Sequence, residues 1–247
     1  MNYEKNNSDF VAFDFSPCLS CSGGHFFGEV QHGYQFVEKG GSGYGVYVPE
    51  SFDPSRRSGL IFAFGRTQND MMLTRERLKE YADLWVSEAE KRGYVVIVPY
   101  WEPVVVESGH HTEKYFLEIL EEAKLMYNIN PREILLVGYG LGTVQAFMMA
   151  AFYSDQFSAI ATIAGSPVRE RITGALMADR LVRGLPPGRL PPVLLVYGEN
   201  GSIPPAWLEE DKAFLEAKRN KVELKAIPQM GNEQHPAASA VILDWFN

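Results

Sequence analysis

The chain has 247 residues, of which 46% are hydrophobic and 22% charged, and a formal net charge of −8. That length and balance describe one globular domain, large enough to bury a core around a single sheet. The acidic excess and the absence of a long basic run argue against nucleic acid or an anionic membrane surface as the main partner, and no apolar run reaches the roughly 18–20 residues that span a bilayer.

Residues 1–27 read as an irregular segment, with Asn and Ser, then Ser16-Pro17-Cys18 and Ser22-Gly23-Gly24. Met1 to Asp9 is polar and lacks the basic-then-apolar pattern of a leader. The expected location is therefore cytoplasmic, or secreted where a leader has been removed. Cys18 and Cys21 form a lone C-x-x-C pair. A zinc site needs two further ligands at matching spacing, and a thioredoxin-like role needs a βαβ unit directly after the motif. Neither is present, so free or incidental thiols are the first reading. A local disulfide or a metal clip is the alternative.

From residue 28 to 247 the pattern is that of a single α/β domain. Glu29 to Glu38 and Tyr44 to Val48 read as two strands joined by the Gly-rich run Lys39-Gly40-Gly41-Ser42-Gly43. Leu60 to Phe64 is a short continuous apolar run, as in a strand buried on both faces. Thr74 to Arg92 then changes period, with Leu78, Tyr81, Ala82, Trp85, Val86 and Ala89 at helical spacing and Gly93 as the stop. Strands are expected at Tyr94–Val98, Ile134–Val137, Ala159–Ile163, Val193–Tyr197 and Val222–Ile227. Helices are expected at Thr112–Asn128, Leu141–Tyr153, Arg171–Arg183, Ala206–Arg219 and Ala237–Phe246. Alternation of this kind implies a mostly parallel sheet with helices on both faces, and the first hairpin adds antiparallel strands at one edge.

One turn carries the chemistry. Ile134-Leu135-Leu136-Val137-Gly138-Tyr139-Gly140-Leu141-Gly142-Thr143 reads as strand, sharp turn, helix. In a Gly-x-Ser-x-Gly elbow the flanking glycines let strand and helix pack closely, and the middle residue takes a strained left-handed conformation that lifts its hydroxyl above the sheet. Here the middle residue is Gly140. Glycine adopts that conformation at little cost but offers no nucleophile.

These residues resemble the α/β-hydrolase superfamily, in the branch of esterases that includes feruloyl esterases and polyhydroxybutyrate depolymerases. The resemblance runs from about Tyr44 to the C-terminus. Tyr47-Val48-Pro49 is similar to that branch's strand ending in Val-Pro. Phe64-Gly65-Arg66-Thr67-Gln68 stands where it has His-Gly-x-Gly-Gln, and Asn130-Pro131-Arg132-Glu133-Ile134 resembles its Asp-x-x-Arg-Val lead into the elbow. Gly198-Glu199-Asn200-Gly201-Ser202-Ile203-Pro204 stands where it has Gly-x-x-Asp-x-x-Val-Pro, and Gly231-Asn232-Glu233-Gln234-His235 where it has the catalytic histidine.

The resemblance implies a triad drawn from Gly140, Gly201 and His235, of which only the histidine keeps its chemistry. Phe64 replaces the leading histidine of the oxyanion loop. A single loss fits an engineered inactive variant, whereas losing nucleophile and acid together reads as a natural pseudo-hydrolase. Glu199, Asn200 or Asp179 are alternative acids, but none restores a nucleophile. Ser166 follows another strand without an elbow, and a loop hydroxyl usually caps or turns. His235 itself reads equally as a remnant bonded to a neighbour or as a ligand contact or base.

The helix from Leu141 directs its N-terminus at the cleft. The resemblance places the Leu141 amide, with an amide of Arg66 or Thr67, around an oxyanion or carboxylate, with Tyr139 as a cleft residue. Trp101, Tyr100, Phe64 and Trp207 are further candidates for an aromatic lining, against the simpler reading of core. Glu102 with His110 or His111 and His235 is a weak metal alternative. No cofactor is expected. The leading expectation is a pseudo-hydrolase that binds a small molecule or a protein partner in the inherited cleft. The alternatives are an ester hydrolase using water activated by His235 or a metal, and a scaffold or oligomer subunit. The pattern does not indicate an oligomeric state.

Overall fold

A computed structural model describes residues 30–39, 42–65, 74–100, 112–167, 184–231 and 235–247. The strands are β1 (Gly33–Lys39), β2 (Ser42–Val48), β3 (Ser58–Phe64), β4 (Tyr94–Tyr100), β5 (Ile129–Tyr139), β6 (Ala159–Ile163), β7 (Val193–Gly198) and β8 (Val222–Ile227). The helices are α1 (Arg75–Arg92), α2 (Thr112–Met126), α3 (Gly142–Phe152), α4 (Pro205–Ala217) and α5 (Pro236–Phe246). A 3-10 turn spans Ser154–Gln156.

The eight strands form one sheet in the order β1-β2-β4-β3-β5-β6-β7-β8. β1 and β2 are antiparallel, β2 joins β4 antiparallel, and every other neighbouring pair is parallel. The expected edge hairpin and parallel body are therefore both present. Their apolar runs explain the placement. β3, β6 and nearly all of β4 and β7 are buried along their length, as strands covered on both faces must be.

Helix ends follow local chemistry. Thr74 caps α1 by accepting from the Arg77 amide at 3.3 Å, and Gly93, at φ 71°, ends it with its amide on the Ala89 carbonyl. Leu78, Tyr81, Trp85 and Ala89 of α1 and Ala238, Ile242 and Leu243 of α5 cover one face of the sheet. On the other face, the Phe64 ring stacks edge-on to Phe116 of α2, with centroids 4.8 Å apart.

β5 departs from expectation. It begins at Ile129, five residues before Ile134, and passes through Pro131 with a register shift against β3 between Ser58 and Leu60. That irregular stretch lets a strand tolerate a residue without an amide donor. The chain steps from β3 outward to β4, then returns past β3 to β5. The crevice at the C-terminal ends of β3 and β5 is thus where strand order reverses, the usual ligand position in open α/β sheets.

Candidate functional site

The elbow stands at that crevice. Tyr139 is the last residue of β5, Gly140 turns the chain at φ 55°, and Leu141 precedes α3. The Gly140 amide donates to the Ile163 carbonyl at 2.9 Å, and its carbonyl accepts from the Thr143 amide at 3.2 Å. Strand and helix are pressed together here. A Cβ on Gly138 would stand 2.4 Å from the Thr143 Cα, and one on Gly142 would stand 2.3 Å from the Phe64 carbonyl oxygen. Thr143, fully buried, turns its hydroxyl back to the Gly138 carbonyl at 3.3 Å.

No side chain caps α3, and no acceptor among the described residues takes the Leu141 amide. The first amides of a helix are unpaired donors at the positive end of its dipole. The turn therefore offers donors to an anion or carbonyl oxygen, with a glycine at its apex.

The next two loops come to the same edge. After β7, the Gly201 amide closes a turn on the Gly198 carbonyl at 2.9 Å, and the Asn200 amide donates to Met230 just beyond β8 at 3.0 Å. After β8, half-buried His235 is the N-cap of α5. Its Nδ1 accepts from the Ala237 amide at 3.2 Å. As the acceptor, Nδ1 is unprotonated, and the neutral ring carries its proton on Nε2. A triad histidine has the opposite arrangement, with Nδ1–H donated to a carboxylate and Nε2 free to accept.

His235 shares a narrow recess with Leu84, Trp85, Tyr139, Ile163 and Ser239, so it lies beside the residue that precedes Gly140. Tyr139 is only 5% exposed, and its ring lies 6.0 Å from that of Tyr81. It faces the core between α1 and α5. Phe64 is not a cleft residue: it is 1% exposed, packed between Phe62 and Phe116, and only its backbone reaches the elbow. The strand's two-residue alternation sends its ring to the α2 face. Tyr100 and Trp207 are half-buried, while Glu199 and Asn200 are exposed in the β7 loop. Arg66, Thr67, Trp101, Glu102, His110, His111 and Asp179 lie outside the described residues, as do Cys18, Cys21 and the helix expected at 171–183.

One pair was not anticipated from sequence. Ser166 donates its hydroxyl to Asp211 of α4 at 2.5 Å, and Asp211 is 1% exposed. Ala164, two residues before the serine, holds φ 49°, a conformation that costs a non-glycine residue energy. A Cβ on Gly165 would stand 2.6 Å from the Gly140 carbonyl oxygen, so this loop abuts the elbow. The signal was present in the sequence. Asp211 occupies the apolar stripe of α4, between Leu208 and Leu215 at helical spacing.

No family model matches the chain, and no curated protein matches it. Solved structures do. Thermogutta terrifontis esterase 2, phosphorylated by paraoxon, is 18% identical with a TM-score of 0.56, over 81% of this chain and 84% of that one. S-formylglutathione hydrolase FrmB from Staphylococcus aureus is 14% identical with a TM-score of 0.63, over 89% of this chain and 99% of that one. FphF, a fluorophosphonate-binding serine hydrolase of Staphylococcus aureus, is 12% identical with a TM-score of 0.64, over 86% and 96%. With its elbow at the β3–β5 crevice and this sheet order, the chain has the α/β-hydrolase fold, and these structural neighbours are esterases and serine hydrolases.

Proposed function

We propose that this chain is a non-catalytic member of an esterase-like lineage, which binds a small carboxylate- or carbonyl-bearing ligand at the elbow. One observation carries the reading. The apex of the turn, where the resemblance to esterases calls for a serine nucleophile, is a glycine at φ 55° with helix-end amides beside it. The ligand's oxygen takes the place of a substrate's oxyanion, held by the Leu141 amide at the start of α3.

Two further features support the reading. Gly201 holds the acid position and contributes only a backbone turn. His235 uses as a helix cap the nitrogen that a triad would turn to its acid. Water activation by His235 would need that ring released and reoriented.

A p-nitrophenyl acetate assay tests the catalytic half. The expected result is hydrolysis no faster than buffer. Turnover that disappears in His235→Ala would overturn the proposal. Isothermal titration with small aromatic acids, esters and lactones tests the binding half. A ligand seated at the elbow should lose about tenfold in affinity in Gly140→Ser, whose hydroxymethyl occupies its oxygen site, and equal affinity in that variant would count against this seat.

A further inference from the structure

The opposite edge of the sheet carries a second cleft. Its volume is about 610 Å³, within the range of small-molecule sites. Its floor is made by the starts of β6, β7 and β8, at Ala159, Val193 and Val222. The elbow lies at the other ends of these strands, so the two sites are separated by the thickness of the sheet's core.

The walls combine two features. One is aromatic. Trp245 and Phe246, at the end of α5, line the cleft, and the indole is anchored by its Nε1–H to the Glu223 carboxylate at 2.7 Å. An indole held in this way presents a flat apolar surface at little further entropic cost. The other is charge. Arg132, before the regular part of β5, and Lys221, just before β8, also line the cleft. Both are exposed, and neither side chain has a hydrogen-bond or ion-pair partner among the described residues. The lining also holds two carboxylates: Glu223 accepts from the indole, and Glu216 stands 4.0 Å from Lys212. Arg132 and Lys221 are the two cations of the lining, and no side chain among the described residues engages either charged group.

The spacing selects the ligand. β5 and β8 are three strands apart in the sheet, or about 14 Å at the usual inter-strand distance. The two cations therefore stand well apart across the cleft floor, each on a long exposed side chain. We propose that this cleft is a binding site for an elongated, flat molecule with an anionic group at each end, an aromatic dicarboxylate. The ring system lies against Trp245. One carboxylate pairs with the Arg132 guanidinium, which takes it in a two-pronged contact, and the other with the Lys221 ammonium.

Isothermal titration with 2,6-naphthalenedicarboxylate tests this, with 2-naphthoate and the uncharged dimethyl ester as controls. The expected order of affinity is dianion, monoanion, ester, and the dianion should weaken as salt is raised. Arg132→Gln and Lys221→Gln should each weaken dianion binding about fivefold, as expected of exposed charge pairs, and the double variant more than tenfold. Gly140→Ser should leave it unchanged, which separates this site from the elbow. Both cations are exposed, so their replacement leaves the fold intact. No saturable binding at millimolar concentration would overturn the proposal. So would equal affinity in the double variant, or loss of dianion binding in Gly140→Ser.

Discussion

At the elbow, β5 enters α3 through Gly140 and Leu141, and no side chain caps the helix. At the neighbouring turn after β8, α5 begins with His235 as its cap, Pro236 in the first turn and the Ala237 amide already bonded. Both turns bring a helix N-terminus to the same edge of the sheet. In the second, a ring nitrogen and a proline remove the donors that a ligand would use. In the first, the Thr143 and Val144 amides bond to the Gly140 and Leu141 carbonyls, and the Leu141 amide has no acceptor among the described residues. The uncapped donor therefore lies at the elbow, while His235, which the resemblance to esterases would make a triad histidine, caps a helix. Which residues of a turn are fixed by packing, and which are free to carry chemistry, can be separated by substitution.

The largest effect is expected at the flanks of the elbow. A methyl group at Gly138 meets the Thr143 backbone at 2.4 Å, and one at Gly142 meets the Phe64 carbonyl at 2.3 Å. Backbone atoms on both sides cannot move aside cheaply, so either change to Ala should cost at least ~3 kcal/mol of unfolding free energy. Urea denaturation measures this. A loss below about 1 kcal/mol would show that the helix can lift off the strand. The apex is different. Gly140→Ser carries the conformational penalty of φ 55°, about 1–2 kcal/mol. On its own it should yield no esterase, because the His235 Nδ1 is held by the Ala237 amide and no acid among the described residues stands beside the ring. Combined with Gly201→Asp, measurable p-nitrophenyl ester turnover is expected, since both groups that the resemblance calls for are then supplied. No turnover from a folded double variant would break the assignment of Gly201 as the acid position.

Acid should act on the two turns unequally. The His235 helix is held to α1 by Arg92, which bonds Glu88 of its own helix at 3.1 Å, the Leu243 carbonyl at 3.2 Å and Asp244 of α5. Lys91 and Arg92 hold the buried Glu88 carboxyl below its usual range. A carboxyl depressed by folding adds stability above its unfolded pKa, about 4.3, and loses it progressively as pH falls through the folded value. Below about pH 4, α5 should therefore exchange amide hydrogens faster, while the elbow, with no titrating group in its bonds, should keep its protection longer. Glu88→Gln should flatten the acid limb of stability. An acid limb as steep as the unmodified chain's would place the acid-sensitive contact elsewhere.

Much of this was legible in the sequence, and the reasons differ by element. Thr74 and Gly93 marked both ends of α1, since each supplies a chemistry that other residues supply poorly there. The elbow was legible because three alternating glycines between a buried strand and an apolar helix have few other uses. The start of β5 was not, because Pro131 reads as a strand breaker, and only the pairing of Ile129 with Ser58 reveals the irregular register that accepts it. The sequence leaves Phe64 between cleft lining and core, because its burial depends on Phe116, a partner about fifty residues away. The role of His235 as a cap depends on the ring's orientation, which sequence does not give. The cleft beneath the sheet is assembled from the starts of four strands and the end of α5, and no local motif announces such a site.

The smallest effect concerns His235. If the ring serves only as a cap, His235→Ala should cost about 0.5–1 kcal/mol, the lower range for losing an N-cap acceptor. His235→Asn, whose side-chain oxygen can accept from the same amide, should restore most of it. With the ligand seated on the Leu141 amide, as proposed, affinity at the elbow should be unchanged in both variants. Should His235→Asn keep full stability but lose the ligand, the imidazole would be a contact in its own right. The contrast between an open turn and a capped one would then give way to a single site, built from both helix ends and read through one ring with two roles.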